Sequence, residues 1–113
     1  MATKKLIQKK IDGKKVMVFS KSYCPYCAKA KKVFNTYIID GLLKAEDYDV
    51  WEIDGVANTD EIQTELKTMT GASSVPRVFI NGKFFGGGDE VVKAAQKGTL
   101  KGFIDQNVSK AQQ

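Results

Sequence analysis

Cys24 and Cys27 are the only cysteines of the chain, two residues apart in KSYCPYCAKAKK (residues 21–32), and the chain has no histidine. Three kinds of chemistry use such a pair. Zinc needs about four ligands, so two cysteines would need carboxylates or a second copy of the chain to close a site. A structural disulfide across so short a loop constrains little of the unfolded chain and stabilises little. A reversible dithiol–disulfide couple needs only these two sulfurs beside a strand-to-helix turn.

The neighbouring residues supply that turn. KVMVFS (15–20) is an apolar, β-branched run of strand length and reads as a buried central strand. After the cysteine tetrad, Ala30, Val33, Phe34, Tyr37 and Ile38 recur at helical spacing, which predicts a helix from about Pro25 to Ile39. Pro25 suits the first helical turn, where its missing N–H would be unpaired anyway. Cys24 therefore stands where a strand hands over to a helix. An ordinary thiol, with a pKa near ~8.5, is only slightly ionised at neutrality, whereas at a helix N-terminus the value can fall to ~3.5–7.5. With Lys21 just upstream, Cys24 is the expected nucleophile. Cys27, one turn inside the helix, is the expected resolving thiol.

The remaining elements follow the same logic. An amphipathic opening helix is expected to turn Leu6, Ile7 and Ile11 inward. YDVWEID (48–54) reads as a second strand, and NTDEIQTELKTMTG as a helix with Asn58 or Thr59 as cap and a terminal glycine. RVFINGKFFGG (77–87) reads as two strands turning at Asn81-Gly82. GDEVVKAAQKG and TLKGFIDQNV, ending at Val108, are two closing helices. The order α-β-α-β-α-β-β-α-α predicts an α/β fold: a four-stranded mixed sheet flanked by about five helices, its first strand pair parallel and the hairpin an antiparallel edge.

The length of 113 residues, with 42% hydrophobic and 27% charged residues, fits one domain over 1–113 with its core at about 4–108. No apolar run has the ~18 to 20 residues of a membrane span, and the basic start lacks a signal-peptide pattern. A soluble, cytoplasmic, monomeric protein is expected. The net charge of +5 comes mostly from residues 4–32. Lys4, Lys5, Lys9 and Lys10 fall at near-helical spacing on a solvated face with no nucleic-acid motif, so no nucleic-acid partner is expected. The same positive field would concentrate an anionic thiol substrate near Cys24.

CPYC after KSY, then SSVP, then GGGDE reproduce in order and spacing the three motifs of dithiol glutaredoxins, and from about Lys4 to Val108 the chain resembles that family. The resemblance implies a thioredoxin-like fold. It also implies reduction of disulfides with glutathione as electron donor and removal of glutathione from mixed disulfides. Cys24 then resembles the attacking cysteine, Cys27 the resolving one, and Tyr26 the aromatic beside the bound tripeptide. Pro76 looks like the family's cis proline. Val75 would pair its backbone with the cysteinyl unit, and Lys21 with Gln63 resembles the clamp on the glycine carboxylate. Gly88 and Asp89 would open a helix whose N–H groups take the γ-glutamyl carboxylate, while Asp89 and Glu90 receive the ammonium. Ser74 replaces a common threonine, and Asp-Glu replaces a common hydroxyl-Asp pair. Arg77 reads as surface charge of secondary weight.

The implied partners are glutathione, glutathionylated or disulfide-containing proteins, and indirectly glutathione reductase with NADPH. Glutathione is a co-substrate, and no tightly bound cofactor and no metal are expected. One rival is a thioredoxin-type reductase fed by a flavoprotein. Thioredoxins sit near about −270 mV and glutaredoxins near roughly −200 to −230 mV. The absence of a tryptophan before Cys24 favours the weaker reductant. A second rival, a glutathione-ligated iron–sulfur scaffold, is disfavoured by Pro25-Tyr26 after the first cysteine.

Overall fold

The computed structural model describes residues 2–106. Its first strand, β1 (Val16–Ser20), is buried at every position. Val16 and Val18 point to one face, where they meet Ala30, Phe34, Val78, Val91 and Leu100. Met17 and Phe19 point to the other, against Ile7, Ile11, Ile62, Leu66 and Phe79. The period-two alternation of a strand thus feeds two separate apolar layers, the pattern of a sheet covered by helices on both faces.

α1 (Ala2–Gly13) and α3 (Thr59–Thr70) cover one face; α2 (Pro25–Ile39), α4 (Gly88–Lys97) and α5 (Leu100–Asp105) cover the other. The sheet order is β2-β1-β3-β4, with β2 at Tyr48–Glu52, β3 at Arg77–Ile80 and β4 at Lys83–Gly86. β1 and β2 are parallel, joined through α2; β1–β3 and β3–β4 are antiparallel. This is the mixed, thioredoxin-like arrangement expected from the sequence. The limits of α2 coincide with Pro25 and Ile39, and Asn81 and Gly82 both take positive φ, 53° and 83°, as a tight hairpin turn requires. Asn81 also donates through Nδ2 to the carbonyls of Phe103 (2.9 Å) and Ile104 (3.3 Å), latching the hairpin to α5.

Several expectations need correcting. Leu6 is 39% exposed, because only Ile7 and Ile11 lie on the stripe of α1 that meets the sheet. β2 stops at Glu52 rather than residue 54 and is an edge strand, half-buried throughout. Ile53 still bonds to Ser20 through its N–H, but Asp54 and Gly55 turn away. A short 3-10 turn at Ala45–Asp47 precedes β2. At α3, Asn58 is the cap position without a side-chain bond, while the Thr59 hydroxyl points back to the carbonyls of Ile53 and Val56. α5 ends at Asp105: Gln106, expected to be helical, is extended (φ −62°, ψ 135°), and the rest of the expected helix to Val108 lies outside the described residues.

Candidate active site

The loop leaving β1 is built to present one sulfur. Cys24 caps α2 with extended backbone (φ −93°, ψ 118°), and its Sγ accepts a hydrogen bond from Cys27 N at 3.4 Å. Its own N–H returns to Lys21 O at 3.2 Å, and its carbonyl accepts from Ala28 N at 3.0 Å as the first helical bond. The sulfur thus sits at the positive end of α2, where negative charge is favoured. Cys24 is half-buried and Cys27 fully buried, and both are reduced. Burial pushes the Cys27 thiol above its ordinary value of 9.0, and the Lys21 backbone N–H works in the opposite direction. The neighbouring Cys24 adds to the rise, while the Ser20 hydroxyl lowers it. One sulfur is reachable, and burial makes the other harder to ionise.

A tether unforeseen in the sequence holds this loop. Ser22 donates to Asp54 through its N–H (3.2 Å) and its hydroxyl (2.5 Å). These bonds, the hydroxyl first, hold the Asp54 carboxyl below its ordinary range, and Lys21 adds a smaller attraction. Asp54-Gly55 just after β2 is an ordinary turn signal; only the parallel pairing of β1 with β2 brings it to the cysteine loop.

Across from the sulfur, the Val75–Pro76 peptide bond is cis. The Cys24 thiol points at Val75 O, 3.6 Å away. Gln63 lies on α3 and donates through Nε2 to Ser73 O at 3.1 Å, bracing the segment before Pro76. A groove of about 270 Å³ runs alongside, and Tyr26, Val75, Pro76, Gly88, Asp89 and Glu90 all line it, together with Ser74, Arg77 and Gly87. Lys21 and Gln63 are outside that lining: Lys21 is half-buried in the turn before Cys24, and Gln63 is bonded to the Pro76 loop. Tyr26 is 53% exposed, with Lys29 Nζ 5.5 Å above its ring.

The far wall is the N-terminus of α4. Gly88 lets it approach closely: a Cβ there would stand 3.0 Å from Tyr26 O. Glu90 folds back so that Oε1 accepts from Gly87 N at 2.7 Å, and Asp89 is exposed. The first intrahelical bond is Val91 N to Gly87 O, so the N–H groups of Gly88, Asp89 and Glu90 precede the helical ladder.

Arg77 is more than surface charge. It is half-buried, its Nε donates to Pro76 O (3.4 Å) and its Nη1 to Thr70 Oγ1 (3.3 Å), and the guanidinium lies 4.9 Å from the Phe84 ring centroid. Burial lowers its pKa and the Glu90 charge opposes that, but a guanidinium remains protonated. As the first residue of β3 next to Pro76, Arg77 can fold along the groove wall, a placement no local sequence pattern announces. Among the described residues, no group of three or more His, Cys, Asp or Glu side chains is gathered to hold a metal ion.

The arrangement has known counterparts. Residues 16–85 match the family model described as Glutaredoxin. Glutaredoxin-C4 of Arabidopsis thaliana is 45% identical over 83% of this chain, which spans 64% of that protein's length. Glutaredoxin-2 of Schizosaccharomyces pombe is 35% identical over 89% of this chain and 86% of its own. Among solved structures, oxidized glutaredoxin 2 from Chlamydomonas reinhardtii superposes with a TM-score of 0.81 at 45% identity, covering 91% of each chain. A buckwheat glutaredoxin-glutathione complex gives 0.78 at 35% identity, covering 91% of this chain and 87% of its own. With Cys24 and Cys27 spaced as the redox pair and the fold shared along its length, the chain belongs to the glutaredoxin family.

Proposed function

We propose that this protein is a glutathione-dependent thiol–disulfide oxidoreductase acting on protein–glutathione mixed disulfides through Cys24 and on protein disulfides through Cys24 and Cys27. The observation that carries this reading is the position of Cys24 Sγ, at the cap of α2 and against Val75 O, beside a groove closed by the N-terminus of α4. Glutathione is an extended peptide with a carboxylate at each end. Its backbone suits the edge at Val75, and its γ-glutamyl carboxylate suits the N–H groups of Gly88, Asp89 and Glu90. The Asp89 side chain, with Glu90, takes the ammonium. Lys21 and Gln63 serve the glycine carboxylate. The glutathione complex of the buckwheat relative supports the choice of ligand.

In the monothiol route, Cys24 attacks the glutathione sulfur of a mixed disulfide. The substrate thiolate leaves with the electron pair and takes up a proton, and Cys24 stays bonded to glutathione. A second glutathione attacks that bond, giving oxidised glutathione and restoring Cys24. In the dithiol route, Cys24 forms the mixed disulfide with the target and Cys27 displaces it. Two glutathiones then reduce the Cys24–Cys27 bond. In this reading the protein works as a cytoplasmic monomer with no tightly bound cofactor, and NADPH-driven glutathione reductase restores the donor.

The test is a coupled assay on a small glutathione mixed disulfide, with glutathione, NADPH and glutathione reductase in one arm and thioredoxin reductase in the other. Turnover is expected in the first arm. Turnover in the second arm alone would reassign the electron donor.

A further inference from the structure

The β1–β3 ladder ends at the Phe19–Arg77 pair, so the segment 73–76, which carries the Val75 edge and the cis bond, lies beyond the sheet. Two side chains take the place of ladder bonds there. Gln63 reaches Ser73 O from α3, and Arg77 folds back over the rest. Its Nε donates to Pro76 O (3.4 Å) and its Nη2 to Ser74 Oγ (3.5 Å). Its Nη1 donates to Thr70 Oγ1 (3.3 Å) on the last residue of α3. That hydroxyl lies within reach of the carbonyls of Leu66 (2.7 Å) and Ala72 (3.0 Å), so its proton has a taker and a lone pair is left for the guanidinium. The Phe84 ring of β4 supports the guanidinium plane.

The same side chain reaches the opposite wall of the groove. A Cβ on Gly87 would stand 3.4 Å from Arg77 Nη2, 3.5 Å from Pro76 O and 3.3 Å from Glu90 Oε1. The guanidinium, the Pro76 carbonyl and the carboxylate that caps α4 therefore converge on the bare Cα of Gly87, at the corner where α4 begins.

We infer that Arg77 is a positioning residue for the groove: through Ser74, Pro76 and the Gly87 corner it sets how far the Val75 edge stands from the N–H groups of Gly88, Asp89 and Glu90. The inference rests on the glutathione reading above. Glutathione must meet both walls at once, so a displacement of either weakens its binding. The Arg77 hydrogen bonds go to these groups and to neither cysteine, so the chemistry at Cys24 does not run through it. Lysine cannot take over the task. Its compact ammonium on a flexible stem does not donate in three directions from one rigid plane laid on a ring.

Steady-state turnover of a small glutathione mixed disulfide in the coupled assay tests this, at a temperature where each variant is folded and with the alkylation rate of Cys24 measured alongside. Arg77→Met keeps an unbranched apolar stem over Phe84 and removes every donor. It is expected to raise KM roughly 10-fold, the worth of one charge-assisted hydrogen bond, with kcat and the alkylation rate near wild type. Arg77→Lys keeps the charge without the fork and should recover only part of that loss. Phe84→Leu changes a residue outside the groove lining and should raise KM roughly 2- to 5-fold by taking away the platform under the guanidinium. A wild-type KM in Arg77→Met overturns the inference. So does full recovery by lysine, which would make charge alone the cause, or a loss confined to kcat, which would move Arg77 into the chemistry. Should Arg77→Met fail to fold, a wild-type KM in both Arg77→Lys and Phe84→Leu overturns it equally. Absence of glutathione-driven turnover in the wild-type protein is a different failure: it would refute the proposed function and, with it, the role given to Arg77.

Discussion

Gly88→Ala tests how the groove is built. Gly88 has no positive φ, so alanine meets no backbone strain there, and at the first position of α4 it would gain at most about 1 kcal/mol of helix propensity. The added Cβ, however, would stand 3.0 Å from Tyr26 O and 3.1 Å from Tyr26 Cβ. Both atoms belong to the first turn of α2, beside the cysteine pair, so neither can swing aside like the tip of a flexible side chain. Overpacking of this kind costs about 1–3 kcal/mol, leaving a net destabilisation of roughly 0–2 kcal/mol after the full propensity gain. For a domain of this size that lowers Tm by up to roughly 15 °C. The relief available is a shift of α4 away from α2, which moves the Gly88, Asp89 and Glu90 N–H groups off the carboxylate they are proposed to hold. Losing one charge-assisted bond costs about 1.5–3 kcal/mol, so KM for glutathione should rise roughly 10-fold or more. Gly102→Ala is the control, because a Cβ there meets nothing within 4 Å. It should stabilise by up to about 1 kcal/mol and leave KM alone. Thermal melts and the coupled assay read both quantities. A Gly88→Ala protein as stable as wild type, with the same KM, would refute the argument.

Cys24→Ser should abolish turnover of a small glutathione mixed disulfide, while Cys27→Ser should keep much of it; a second variant as inactive as the first would remove the monothiol route. Lys21→Glu should raise KM for glutathione mainly at low salt, because it reverses a clamp charge, and an unchanged KM would place Lys21 outside the site. Asp54 is held ionised by Ser22. A carboxyl lowered in the folded state contributes its stabilisation above its ordinary value of 3.8 and loses it as pH falls through the folded value, so the loop tether should persist at neutrality and loosen only in acid. Hydrogen exchange of the Ser22 amide checks this: Asp54→Ala should speed exchange at neutral pH, and unchanged protection would show that Asp54 does not hold the loop.

The sequence disclosed those features whose causes are local. Pro25 and the spacing of Ala30, Phe34 and their neighbours bounded α2, and Asn81-Gly82 marked the hairpin, because each depends on residues within a few positions. The motif resemblance brought Tyr26, Val75, Pro76, Gly88, Asp89 and Glu90 to one groove. Features made by the sheet stayed hidden. Ser20, Lys31 and Glu52 meet only because β1 and β2 run parallel in register with α2 above them. Ser22–Asp54 arises from the same crossover. Arg77 could not be separated from a solvated arginine without knowing that β4 places Phe84 beneath its guanidinium. Leu6 was misplaced because two adjacent apolar residues do not say which of them faces inward.

β1 is gripped from above and below, with Val16 and Val18 set in one layer and Met17 and Phe19 in the other. A strand pinned in this way makes a poor hinge, so the sulfur rooted at its end is the fixed jaw of the cleft. Any widening needed to admit a bulky protein thiol must come from the opposite jaw, the Gly86–Gly88 corner where α4 begins. Variation among relatives in the size of substrate they accept would then be sought in the suppleness of that corner rather than around the cysteines.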